Sequence, residues 1–126
     1  MTLQGERTFD NLIVGSAVET VSNGETLATT DVSVRGQVMG KITASGKWTK
    51  YKSGSADGSE IPRGILAQDA DASGADVPCV IYKTGEFNKD ALVFDGGDSL
   101  TEAVKNLLQD VNIHTQGTID VAGVHN

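Results

Sequence analysis

The chain has 126 residues, with 17 acidic and 10 basic side chains and a formal net charge of −7. That length suits one domain able to bury roughly two thirds of its unfolded surface. The acidic balance argues against a duplex-binding protein, which needs clustered positive charge to displace counterions. A single cysteine, Cys79, excludes an internal disulfide, and no run approaches the ~20 apolar residues of a membrane-spanning helix. Nucleic acid and membrane are therefore not expected among the partners.

Residues 1–11 are polar and unpatterned, and read as a flexible N-terminal arm; residues 12–126 read as one domain. The N-terminus lacks the apolar core of a signal peptide, so a soluble protein made in a cytoplasm is expected. Val18 and Val21 flank turn chemistry at Asn23-Gly24. In "DVSVRGQVMGKIT" Val32 and Val34 alternate with polar neighbours, which is strand-like, and Gly36 and Gly40 point to bulges or close backbone contact. "KWTKYK" alternates bulk with charge, as a half-exposed strand does, and Asp57-Gly58 supplies a turn in the loop after it. "RGILAQD" and "VPCVIYK" read as strands, the second apolar on both faces. Pro78, lacking an N–H, belongs at a strand start or sheet edge. Thr84-Gly85 reads as a turn into "EFNKDALVF".

One amphipathic helix is predicted in "SLTEAVKNLLQDV". Ser99 and Glu102 have capping-box spacing, and Leu100, Val104, Leu107/Leu108 and Val111 recur at helical period. "TIDVAG" then reads as a final short strand. Few aromatics and 15 glycines among many Thr and Val complete the expectation of an α+β, β-rich compact domain of short strands with a C-terminal helix.

Asp69, Asp71, Ser73 and Gly74 match the first half of a calcium loop, but the twelfth position, which must carry a bidentate carboxylate, is Val80. Asx turns joining two strands account for the same residues. Cys79, His114 and His125 share no zinc-ligand spacing, and a Cys79/His114 catalytic pair would need an electropositive setting that the acidic second half does not offer. "GSADGS" lacks the lysine and the following helix of a phosphate loop. No catalytic residue, metal or cofactor is expected.

Five segments taken in order resemble the head decoration protein D family of lambda-like tailed bacteriophages: "NLIVGS" (11–16), "VRGQVMGKIT" (34–43), "RGILAQDADAS" (63–73), "VIYKTGEFNKDAL" (80–92) and "LLQDVNIH" (107–114). Asn112 stands where that family usually has glycine, and Met39 where it commonly has leucine. The resemblance implies a non-enzymatic homotrimer without cofactor. It implies binding to the major capsid protein at three-fold positions of the expanded shell, on the outer surface of the head, stabilising it against genome pressure. It also implies an N-terminal segment that orders on the shell, which places a capsid-binding arm at Thr2, Leu3, Gln4, Gly5, Glu6, Arg7, Thr8, Phe9 and Asp10. Two other functions fit the residues: a virion-surface module stacking host glycans on Trp48 and Tyr51, and a small hydrolase using Cys79.

Overall fold

A computed structural model of the protein describes residues 12–14, 21–30 and 32–116. The elements in order are β1 (Val21–Leu27), β2 (Val32–Ser33), β3 (Val38–Lys41), β4 (Trp48–Lys50), β5 (Pro62–Leu66), β6 (Ala70–Asp71), β7 (Val77–Asn88), a 3-10 turn at Lys89–Ala91, α1 (Glu102–Asp110) and β8 (Ile113–Gln116). The described residues thus form a small β-rich domain with one short helix, as the composition and periodicity imply. The arm at residues 1–11, Val18 and the "TIDVAG" segment lie outside the described residues.

The main sheet runs β1-β4-β3-β5-β7-β8, and β1 pairs a second time with β7. Five strands therefore close into a small barrel, with β8 added parallel to the far half of β7. Closure is thinnest between β1 and β4, where the parallel pair Leu27↔Trp48 and the Ala28 N–H donating to the Trp48 carbonyl at 2.8 Å complete the ring. One buried cluster takes a side chain from every strand of that ring: Leu27, Trp48, Met39, Leu66, and Cys79 with Ile81. A second lies under the helix and joins Leu12, Val38, Tyr51, Ile65, Phe87, Val104, Leu108 and Ile113. Val38 and Met39 are neighbours in different clusters, as are Ile65 and Leu66, because successive strand residues point to opposite faces. Both faces of β3 are covered, whereas along "VPCVIYK" Cys79 and Ile81 are buried and Val77, Val80 and Tyr82 half-buried, so its second face is only partly covered.

Gly36 and Gly40 mark close backbone contacts, as predicted. A Cβ on Gly40 would lie 2.6 Å from the Ser59 Cα, and one on Gly36, at φ +95°, would lie 2.7 Å from the Ala91 carbonyl oxygen. The β3–β5 register also shifts between Met39 and Gly40. Pro78 lies at the start of β7, opposite Thr26, where its missing N–H interrupts no second ladder.

Several local expectations are corrected. Asn23-Gly24 makes no turn: β1 runs straight through it, with Asn23 opposite Ile81 and Gly24 opposite Val80. Thr84-Gly85 makes none either. There β7 changes partner, from β1 up to Thr84 to β8 from Gly85 onward. In both places a long ladder with fixed neighbours outweighs the turn preference of two residues. Trp48 and Lys50 are both buried, so β4 is not half-exposed; closure encloses the indole, and the Lys50 ammonium reaches Asp95 at 3.9 Å. The helix begins later than the capping-box spacing implies. Thr101 is its N-cap, its Oγ1 accepting from the Val104 N–H at 3.2 Å. Ser99 is outside that cap, because Leu100 must first turn inward against the second cluster.

Candidate functional site

The acidic loop is organised by the chain around it. An Asp69 oxygen accepts from the Arg35 N–H at 2.7 Å. An Asp71 oxygen accepts from the Ser73 N–H at 3.0 Å and the Ser73 hydroxyl at 2.6 Å, and these bonds hold its carboxyl below the usual range. Asp71 also belongs to β6, paired with β2. The two carboxylates thus serve an Asx turn and a strand connection, and among the described residues no group of three His, Cys, Asp or Glu side chains is placed to hold a metal ion.

Cys79 is buried in the barrel cluster. Burial first, and the Glu25 carboxylate second, push its thiol up to about 11, so it stays protonated at neutral pH and is a poor nucleophile. His114 pairs with Glu86 along β8, seven residues further along β7 than Cys79. That is roughly 20 Å at strand rise, so the two do not meet. Its Nε2 lies 3.2 Å from the Asn112 Oδ1 instead. Trp48 and Tyr51 are 3% and 4% exposed and offer no face to a sugar. The Lys41 and Lys83 ammonium groups lie 5.8 and 5.9 Å from the Trp48 ring centroid, and Tyr51 meets Phe94 edge-on at 6.4 Å.

What the fold presents outward is a braced surface. Asp76 ties two loops together, accepting from the Thr29 N–H and hydroxyl, each at 2.7 Å, and pairing with Lys47. Lys47 first, and Thr29 second, lower its carboxyl to about 2. Asp98 accepts from the Ser53 hydroxyl at 2.6 Å, and Glu25 pairs with Lys83. The proposed arm, Thr2 to Asp10, lies outside the described residues, but the segment just after it is placed. Leu12 is buried in the second cluster. Its carbonyl accepts from the Asn88 N–H at 2.7 Å, and the Val14 N–H donates to the Glu86 carbonyl at 3.1 Å. Ile13 pairs antiparallel with Phe87, so residues 12–14 and β8 flank the same stretch of β7.

The family model described as bacteriophage lambda head decoration protein D matches residues 1–113. The chain belongs to that family. No curated protein matches it. The match runs from the first residue through α1 to the start of β8, so it takes in the arm, both clusters and the acidic loop. Membership gives the chain a role in decorating the phage head, associated with the capsid at the virion surface, and points to structural rather than enzymatic work. No helix among the described residues is long and apolar enough to cross a membrane. Sequence reasoning missed the outward-facing residues Val32, Val34, Ile61 and Arg63. The Val32-x-Val34 alternation was visible, but alternation does not say which face meets the core.

Proposed function

We propose that this protein is a capsid cement: a homotrimer at the three-fold positions of the expanded head, holding neighbouring copies of the major capsid protein together against genome pressure. The family match over residues 1–113 carries this reading. The division is an arm, 1–11, and a domain, 12–126. Leu12, fixed in the core and hydrogen-bonded to β7, is the hinge from which Thr2 to Asp10 reach the shell. Ordering nine residues costs roughly 10 kcal/mol of backbone entropy, which strand addition to an exposed capsid edge offsets with backbone hydrogen bonds, aided by Leu3 and Phe9 in pockets. Three arms on one ring raise avidity ~10²–10⁴-fold, so each can bind weakly. The site on the shell is assembled from several subunits and exists only after expansion.

Co-sedimentation with emptied heads tests this. The full chain is expected to bind expanded but not precursor shells. Deleting residues 2–10 is expected to leave the trimer intact and abolish binding. A truncated protein that decorates shells normally rejects the arm, and equal binding to both shell forms rejects the expansion dependence.

A further inference from the structure

The segment "TIDVAG", residues 118–123, reads as a strand in sequence and begins beyond the family match, which ends at residue 113. It lies outside the described residues, but the strand it follows, β8, is placed. β8 ends the main sheet, with β7 as its one neighbour among the described residues. Gly85 lies opposite Ile113 and Phe87 opposite Thr115 in a parallel pairing, and the Gly85 N–H donates to the Asn112 carbonyl at 3.2 Å. In a parallel ladder of that register the backbone groups of Asn112, His114 and Gln116 face β7. Those of Ile113 and Thr115 point the other way, along an open edge of the kind that takes an added strand.

Two further features adjoin that edge. Thr115 is 8% exposed, and its Oγ1 has no hydrogen-bond partner. A cavity of about 360 Å³ lies between the start of α1 and the end of β8, lined in part by Leu100, Thr101, Thr115 and Gln116. The chain therefore leaves β8 on the wall of this cavity. A hairpin loop of three residues containing glycine is a common connection, and Gln116, Gly117 and Thr118 supply one. Such a loop puts Ile119 opposite Thr115, Asp120 opposite His114 and Val121 opposite Ile113. Opposed residues share a face of the sheet. Ile119 and Val121 then fall on the face where Ile113 is buried under the helix, and Asp120 falls beside the half-exposed His114, where a carboxylate stays solvated. A loop one residue shorter would put Asp120 opposite Ile113 on the buried face, since a one-residue slip exchanges the faces. We infer that residues 119–121 form a strand antiparallel to β8 on its open edge, in the three-residue-loop register, with Ile119 covering the cavity beside Leu100. The inference stands apart from the cement reading.

Residue-resolved amide hydrogen exchange on the full chain tests it. The Ile113 and Thr115 amides are expected to be protected in the wild type. Truncation after Gln116 is expected to speed their exchange by at least about tenfold while leaving the His114 amide, which faces β7, unchanged. The full-length variant Ile119→Ser with Val121→Ser should give the same split, and it decides the matter if the truncated chain does not fold. Rapid exchange at Ile113 and Thr115 in the wild type overturns the inference. So does equal acceleration at Ile113, His114 and Thr115, which would mean a general loss of stability. A split on truncation that the double variant does not reproduce rejects the register. Protection that disappears on dilution would put the tail of another copy on the edge, and also overturns the inference.

Discussion

Asn112 follows the last turn of α1 at φ 67°, where the chain reverses into β8. A left-handed residue commonly ends a helix; glycine adopts that conformation without strain and asparagine is among the few others that tolerate it. The substitution of asparagine for the family's usual glycine is therefore compatible with the same backbone, and its Oδ1 faces the His114 ring at 3.2 Å. Asn112→Ala is expected to lower stability by about 1–2 kcal/mol, since it keeps a Cβ and loses the local hydrogen bonding that makes this conformation acceptable. Asn112→Gly should come within about 0.5 kcal/mol of wild type. Urea unfolding of the three proteins checks both values, and equal loss in both variants would place the stabilisation in the side-chain contact rather than the backbone.

At the scale of elements, α1 shows how a correct pattern acquires a displaced boundary. Val104 and Leu108 are buried, and Leu100 and Val111 pack at the margin of the same cluster, so the helical period in the sequence was real. Its start is set by Thr101 because only that hydroxyl reaches an unpaired N–H of the first turn. Thr101→Ala is expected to cost about 1 kcal/mol, and Ser99→Ala to fall within about 0.5 kcal/mol of wild type. Thermal unfolding of the pair distinguishes the caps; a larger loss at Ser99 would return the boundary to the capping-box position. The β-strands show the converse. Asn23-Gly24 and Thr84-Gly85 have turn-forming composition yet lie inside ladders, because β7 is long enough to pair β1 and then β8 without a break.

At the scale of the molecule, loops are fastened by carboxylates whose protons are held less tightly when folded than when unfolded. Asp76 is the extreme case, at about 2; Asp57, Asp71 and Asp98 are lowered by their serine partners, and Glu25 by Lys83. The unfolded chain takes up protons first on acidification. This contribution is therefore complete above about pH 5 and is lost as pH falls towards 2. The melting temperature is expected to be flat from about pH 7 to pH 5 and to fall below about pH 4. In Asp76→Asn the fall should be shallower, with a lower plateau at neutral pH. An unchanged acid limb in that variant would show that the Lys47–Asp76–Thr29 tie does not contribute to stability. A body braced in this way holds its outward-facing loops at fixed separations.

The sequence by itself determined the class of the molecule and its family. Glycine, threonine and valine in short runs specify strands, a 3.6-residue period specifies one helix, and the five ordered segments specify the decoration-protein lineage. Gly36 and Gly40 were legible too, because a missing side chain in a strand has few uses other than close approach. Only the tertiary structure decided that β1 closes on β7, that Trp48 and Tyr51 are interior, and that Val32 and Val34 face outward beside Asp71. Those outcomes depend on which strands lie on each side of a given residue. Local propensity is a property of a few consecutive residues, whereas strand partners here come from positions as far apart as Val21 and Thr84, and their pairing sets which face of each strand meets water.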